Sequence, residues 1–567
     1  MIRRVIAITS IVVDLALCLL IGCGNRLSGR SPTGKIGSSA RALISAGNCG
    51  YGTLPSNTTY IQPGYTFAYR HWLMKGDALT ASDDWLSVEW TPPDGIPVSW
   101  NCLRAFLRQP DGSLQYLWTS GVTPGVTQQY AAVFKLGIAS ISSGAHDIML
   151  VADDQDLTFW DLQVNVTAPL YAVISTDWDE PPDGYSSIDT ILSTMDQLRR
   201  VNGINDASGA ERPGFAYSHF VGPYIWGYPV MISDGSQRAV RPQANTATDK
   251  IERWLKLRPQ DEVGVHIHPW TSAFLSEVPL PACCATSTCS TGTQCLPACC
   301  QTDPSTCPSG TVCSVPSCCA TASCDADTAC PFPPYVTPRL DADSQFTGGY
   351  DSSGYYTMLR AFSNDELVAM FDYSSQILVS RGFTQPTSFR AGGWSGSAAM
   401  LSALAQAHAF ALDSTGSVTS ASGHPYVVDS SSTWPYPVCQ VLPDTSGPTL
   451  CTSLSSSSGL SQSTTSTSQP YRVSSNGMLE IPDNGVLADY IDESTMASVL
   501  SANGGTAPVD STRVYQIGFH PHTLSANASR FESALESIDA NAYGFDAGPV
   551  VYTTISKLNQ LGVWPSQ

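Results

Sequence analysis

The sequence predicts an α/β domain, open or closed as a barrel, carried behind a small β-sandwich. Three observations predict it. From Tyr171 onward, strand-like apolar runs alternate with helical stretches, the pattern of βα units. Residues 48–169 instead show short alternating runs broken by turn clusters, as sandwiches do. Three short acid or histidine pairs, Asp177-Trp178-Asp179, His266-Ile267-His268 and His520-Pro521-His522, each follow an apolar run in the second region.

The N-terminus reads as a targeting segment. Arg3 and Arg4 precede the apolar run Val5–Ile21, and Leu20-Ile21-Gly22-Cys23 forms a small-residue cleavage site ending in cysteine. Residues 1–23 resemble a bacterial lipoprotein signal peptide, with Asp14 an unusual charge inside it. An ordinary cleaved signal peptide is the other reading, and both imply export. Residues 24–47, rich in Ser, Gly and Arg, form a linker. No other stretch approaches the roughly 20 apolar residues of a spanning helix, so membrane attachment is expected only through a lipid anchor. The expected location is the bacterial cell envelope, as an outer-membrane or surface lipoprotein.

Composition limits the partners. The 567-residue chain carries a net charge of −20, and only 13% of its residues are charged. With no basic cluster it is a poor ligand for nucleic acid or anionic headgroups. No partner protein can be inferred. Setting aside Cys18 and Cys23, sixteen of the eighteen cysteines remain, an even number that suits disulfides in an oxidising compartment.

In the sandwich, WLSVEW (85–90), the run 114–118 and FWDLQVNV (159–166) are the strand candidates, and Cys49 and Cys102 could staple it. Its role is open between spacer and carbohydrate binding. In the second region (170–567), helices are expected over 188–201, 247–257, 365–381, 397–409, 529–539 and 554–561. Two inserts interrupt it. Residues 281–332 hold twelve cysteines in three similar units (PACCATSTCSTGTQC, PACCQTDPSTCPSGTVC, PSCCATASCDADTAC). Without histidine, and exported, they favour disulfides over zinc. Residues 439–469 end in a Ser/Thr run and read as a flexible loop, its first part closed by Cys439 and Cys451.

On a strand, residues i and i+2 share a face, so both members of each pair can point one way. Carboxylates and imidazoles gathered at strand ends are what a mononuclear metal hydrolase requires: ligands, a base and an acid. A D-x-D alone is often only a turn, whereas an H-x-H after an apolar run is rarer because buried imidazoles need partners. His71, His146, His408 and His424 read as structural, and His219 as a loop residue near the cleft.

In order, STDWDE (175–180), EVGVHIHPW (262–270), FRAGGW (389–394), LDS (412–414), LEIP (479–482) and GFHPH (518–522) resemble the motifs of the polysaccharide deacetylases, the NodB homology domain. The resemblance covers most of 171–567 outside the inserts. It implies a distorted (β/α) barrel and a divalent metal, most commonly Zn2+. It further implies Asp177 as general base, Asp179 and His266 as metal ligands, Arg390 as orienter of the base, His520 as acid and Asp413 as an acid beside it. The chain departs from the pattern twice. Trp178 separates the aspartates, so their roles could be exchanged. Trp270 stands where the family has its second histidine, so His268 must serve as the remaining ligand. Trp178, Trp270 and Trp394 could offer indole faces to a sugar, or pack in the core, and His522 could line the site.

The function implied is metal-dependent removal of acetyl groups from an N-acetylated polysaccharide at the cell surface. The metal would lower the pKa of bound water from ~16 towards ~7, Asp177 would take its proton, and His520 would protonate the departing amine. The alternative is a catalytically inactive glycan-binding surface lipoprotein, which Trp270 favours. Another metal amidohydrolase is a third option, although there H-x-H follows the first strand.

Overall fold

The computed structural model describes residues 59–60, 65–92, 102–124, 129–152, 158–178, 187–199, 214–222, 225, 227–231, 237–242, 246–267, 359, 364–394, 396–432, 437–440, 450–453 and 464–567. The leader, the linker, Cys49, the cysteine-rich insert, Asp179, His268 and Trp270 therefore lie outside the described residues. Among the described residues no helix is long and apolar enough to cross a membrane.

The first region contributes β1 (Thr59–Tyr60), β2 (Thr66–Tyr69), β3 (Trp72–Met74), β4 (Trp85–Thr91), β5 (Cys102–Arg108), β6 (Leu114–Gly121), β7 (Thr123–Pro124), β8 (Tyr130–Lys135), β9 (Gly144–Ala152) and β10 (Thr158–Thr167). One sheet runs β1-β10-β9-β5-β6 with β3 beside β10, and the other β2-β4-β8-β7. The alternation in WLSVEW puts Leu86, Val88 and Trp90 inward. They meet Leu103, Ala105, Leu150 and Trp160 of the facing sheet in one core, the packing of a β-sandwich. Cys102 is disulfide-bonded. Asp546 of the second region clamps this sandwich through the backbone N–H groups of His71 (2.8 Å) and Trp72 (2.7 Å).

The second region is built on β11 (Leu170–Trp178), β12 (Tyr217–Val221), the hairpin β13 (Gly227–Met231) and β14 (Gln237–Pro242), β15 (Glu262–Ile267) and β16 (Ser388–Ala391). There follow the hairpin β17 (Ala409–Leu412) and β18 (Val418–Ala421), β19 (Val428–Asp429), the hairpin β20 (Pro437–Gln440) and β21 (Leu450–Ser453), β22 (Tyr471–Arg472), β23 (Leu479–Glu480), β24 (Arg513–Phe519) and β25 (Val550–Thr553). Its helices are α1 (Ile188–Arg199), α2 (Thr246–Lys256), α3 (Asn364–Ser380), α4 (Ala398–Leu404), α5 (Glu493–Ala502), α6 (Leu524–Asp539) and α7 (Ile555–Leu558). The main sheet runs β22-β23-β19-β16-β15-β12-β11-β24, with β25 beside the first half of β11. Cys439 and Cys451 are Cα partners across the β20–β21 hairpin.

The distorted (β/α) barrel expected for residues 170–567 is not formed. The sheet is an open path whose end strands, β22 and β24, are joined by no ladder. Among the described residues, twenty-five strands stand against seven α-helices, so the chain is β-rich, a sandwich followed by a half-barrel. The physical reason lies between β19 and β23. A (β/α) barrel needs a crossover helix there, but the described residues of that stretch form a hairpin and the antiparallel strand β22. The free edge of β24 is covered by an irregular stretch instead: Gly485 N–H donates to Gln516 O (2.8 Å) and Ala488 N–H to Gly518 O (2.7 Å).

Strand alternation sorts the half-barrel into two faces. Leu170, Ala172, Ile174 and Trp178 of β11 join the large helix-covered core on the outer face. Tyr171 and Val173 join Phe220, Val428, Leu479 and Val514 on the inner face, closed below by Ile555, Leu558 and Trp564. All nine residues of β11 are buried, as a central parallel strand requires. Gly518 allows the close approach of β24, since a Cβ there would lie 2.4 Å from Ser175 O.

Candidate functional site

Period-two alternation carries Asp177, His266, Arg390 and Gln516 onto the inner face, the first three near the carboxyl ends of parallel strands and Gln516 in the middle of β24. In open sheets ligands bind outside that edge. Thr176 is registered against Phe519, so Asp177 and His520 each follow a paired residue on adjacent strands. His266 is registered against Arg390.

Arg390 is fully buried and is the hub of the cluster. Its Nη1 donates to Asp177 Oδ1 at 2.8 Å, Nη2 lies 3.6 Å from Asp483 Oδ2, and Nε donates to Ser430 O at 3.2 Å. The guanidinium also sits 4.2 Å from the Phe220 ring centroid, a cation–π contact. A buried cation of this kind is tolerated only because it is paired and hydrogen-bonded, and removing one partner typically costs about 3–5 kcal/mol. Burial, together with the charge of Asp177, pushes the Asp483 carboxyl up to about 6 against the pull of Arg390.

His266 is buried, and its Nδ1 lies 3.0 Å from the carbonyl oxygen of Arg390. A carbonyl only accepts, so Nδ1 carries the proton and Nε2 keeps its lone pair. That is the tautomer of a ligating imidazole, oriented by a backbone carbonyl. In this respect His266 fits a divalent metal. Asp179 and His268, the other two expected ligands, lie outside the described residues. Among the described residues no three acidic, histidine or cysteine side chains converge as a metal site.

His520 forms a dyad with Asp489. Both its backbone N–H (2.8 Å) and its Nδ1 (2.5 Å) bond Asp489 Oδ2, while Thr523 Oγ1 and Asn527 Nδ2 (3.2 Å) donate to Oδ1. Burial alone would raise the Asp489 carboxyl, but the His520 charge and these bonds hold it below its ordinary range. With Nδ1 held by a carboxylate, Nε2 is the nitrogen chemically able to exchange protons with a bound molecule.

Several expected residues stand elsewhere. Asp413 is fully exposed in the β17–β18 turn, where its Oδ1 accepts from Thr415 N–H (2.8 Å) and Ser417 N–H (2.9 Å). It caps a turn; the acid beside His520 is Asp489. Trp178 is fully buried, its indole N–H donating to His219 Nδ1 at 3.2 Å. An alternating strand that points Asp177 inward must point Trp178 outward, so it presents no face to a sugar. Trp394 is 3% exposed and donates to Asp483 Oδ2 at 3.3 Å. It occupies the left-handed region (φ 52°) after Gly393, a strained turn of the sort found at functional sites. It braces the cluster rather than stacking on ligand. Tyr490 packs against Trp394 on one side and His520 on the other. Pro521 ends the strand in a 3-10 turn, so His522 shares no strand face with His520, yet their rings remain 5.5 Å apart. Trp270 lies outside the described residues. His219 is a strand residue of the outer face, not a loop residue. A cleft of about 750 Å³ opens at the other end of β11, beside Pro169 and Arg513, and shares no residue with this cluster.

Asp483, Asp489, Ser430 and Gln516 escaped the sequence reading. Asp483 directly follows LEIP and could have been found there. Asp489 lies in a loop without periodicity, where no local signal marks it.

No protein-family model matches the chain, and no curated protein is similar to it. Among solved structures, a hypothetical protein from Pyrococcus horikoshii OT3 is similar over 18% of this chain and 87% of its own, at 12% identity and TM-score 0.12. Chitinase ChiW from Paenibacillus sp. str. FPU-7 is similar over 42% of this chain and 19% of its own, at 12% identity and TM-score 0.13. Neither is described as a deacetylase, and likenesses this low carry no argument about function.

Proposed function

We propose that the chain is a metal-dependent hydrolase that removes acetyl groups from an N-acetylated polysaccharide at the cell envelope. The observation that carries this reading is the buried Arg390–Asp177 pair, 2.8 Å apart, beside the His520–Asp489 dyad on the neighbouring strand. A base held by a guanidinium and an acid held by a carboxylate, on adjacent strand ends, are the two proton carriers that amide hydrolysis uses.

Arg390 aims the Asp177 carboxylate and balances its charge, so Asp177 can accept the proton of an attacking water. His520 delivers a proton from Nε2 to the leaving amine, while Asp489 fixes its ring and steadies the imidazolium. Tyr490 packs between Trp394 and His520 and steadies the imidazole ring. His266, with Asp179 and His268, would hold a divalent ion, most commonly zinc. Such an ion, when bound, polarises an acyl oxygen and acidifies water.

The inactive glycan-binding alternative rests on Trp270, which stands where a second metal histidine is expected. Metal analysis of the purified full chain, with acetate release from an acetylated chitooligosaccharide, separates the two. Near-stoichiometric zinc with acetate release supports the hydrolase. Oligosaccharide binding without metal or acetate supports the alternative and ends the hydrolase reading.

A further inference from the structure

Behind Arg390, on the opposite face of the sheet, lies a second acidic pair that the proton transfers above leave unused. Asp429 and Glu480 are Cα partners on the parallel strands β19 and β23, and both are completely buried. Each carboxyl has one oxygen satisfied by a serine hydroxyl: Ser431 Oγ donates to Asp429 Oδ1 (2.6 Å) and Ser432 Oγ to Glu480 Oε1 (2.6 Å). The remaining oxygens, Asp429 Oδ2 and Glu480 Oε2, are buried and receive no donor from any other group. Two acceptors facing each other without a donor are untenable at low dielectric unless one is protonated. Glu480 feels the charge of Asp429, and each carboxyl lies within the other's hydrogen-bonding reach.

The serines that take the outer oxygens lead back to the site. Ser430 accepts from Arg390 through both its carbonyl and its hydroxyl, each at 3.2 Å, and Gln516 Nε2 donates to that hydroxyl at 2.9 Å. Ser431 Oγ accepts the N–H of Ala391, next to Arg390, at 2.9 Å. Ser432 N–H donates to Glu480 Oε1 at 3.1 Å. The acid pair thus anchors residues 430–432, and they grip Arg390.

We infer that Asp429 and Glu480 are positioning residues: they share one proton, and that proton holds the Ser430–Ser432 segment in the geometry that aims Arg390 at Asp177. Burial first, then the charge of its neighbour, pushes Glu480 well above the ordinary carboxyl range, and burial pushes Asp429 up as well. Tyr471 faces the pair from β22, with its phenol raised by burial and by both carboxyls. Arg390, Asp483 and Asp177 are the charged groups reached through Ser430. Carboxyls raised on folding stabilise the protein below their unfolded values, and that stability is lost as pH rises through the folded ones. Alkaline pH therefore loosens the grip on Arg390.

The positioning role rests on the hydrolase reading, but the shared proton does not, so the test has two arms. In the full chain, infrared spectroscopy should show a protonated-carboxyl carbonyl band that Glu480→Gln removes. Wild type should lose melting temperature relative to Glu480→Gln as pH rises from about 5 to about 9, because the amide donates its hydrogen bond at every pH. On acetylated chitooligosaccharide, Glu480→Ala should lower kcat about tenfold or more with little change in KM. Glu480→Gln should restore most of that loss and extend the alkaline limb of the pH profile. Absence of the band, or parallel melting curves, overturns the shared proton. An unchanged kcat in a folded Glu480→Ala protein overturns the positioning role. No acetate release by wild type, with the band present, defeats the hydrolase reading while the shared proton stands.

Discussion

Two histidine–aspartate pairs sit on opposite faces of the same sheet, His520–Asp489 past the carboxyl end of β24 and His219–Asp261 beside the start of β15. His520 pairs with Asp489 on the inner face at 2.5 Å and is 7% exposed; His219 lies 3.4 Å from Asp261 on the outer face and is fully buried. His219 is enclosed by Thr176, Trp178, Tyr217 and Trp254, and Arg199 reaches the same Asp261 carboxylate. Burial lowers the His219 imidazole below its ordinary range. It would raise Asp261, but bonds and charges from His219 and Arg199 outweigh it and hold that carboxyl low. The same residue pair is a structural rivet where a third charge and aromatic walls close it in. Where the strand ends and Asp177 stands beside it, the same pair is what the proposed hydrolase would use as a proton carrier. Access and neighbours decide which, not the residue types.

The sharpest way to break this comparison is to remove one member of each pair. His520→Gln should lower acetate release by about 10²–10⁴-fold, the usual worth of a general acid, with a smaller loss of melting temperature than Asp261→Ala because the glutamine amide can still donate to Asp489. Asp261→Ala should behave in the opposite way. It leaves Arg199 buried without its counter-charge, costing about 3–5 kcal/mol in denaturant unfolding, with kcat per folded molecule little altered. If both variants lose activity and stability in parallel, the division fails.

A smaller effect sharpens the inner pair. Asp489→Asn should slow turnover by about ten- to hundredfold, since the amide can no longer steady an imidazolium. The sign of its pH dependence also follows. A carboxyl lowered on folding adds stability above its unfolded value of about 3.9, and that stability fades as pH falls through the folded value. Wild type should therefore lose more melting temperature than Asp489→Asn between about pH 5 and about pH 3. Equal losses would show that the dyad contributes no linkage. Smallest of all, Asp413→Ala should leave turnover unchanged, because the exposed turn it caps lies outside the cluster; a clear drop would restore Asp413 to the site.

How much of this could be read from the chain follows from where each signal resides. Period-two alternation is local, so the inward placement of Asp177, His266 and Arg390 was legible from their apolar flanks. The same rule, applied to the residue between, turns Trp178 to the outer face, away from any sugar bound inside. The helices near 188–201, 365–381 and 529–539 were marked by their own periodicity and formed nearly as expected. Barrel closure depends on how distant strands pair, and no local pattern announces that the described residues between β19 and β23 hold a hairpin in place of a crossover helix. Asp489 was invisible for the same reason: thirty-one residues of chain separate it from His520, and only the fold joins them. The LDS sequence around Asp413 supplied a false substitute.

Acetate release from an acetylated chitooligosaccharide by the full chain and its Asp177→Asn variant tests the central claim most directly, with thermal melting as the control for folding. The account predicts release by wild type and a loss of about a thousandfold or more in a variant that melts normally. Release that survives Asp177→Asn, or a folded, zinc-supplied wild type that frees no acetate, would contradict it.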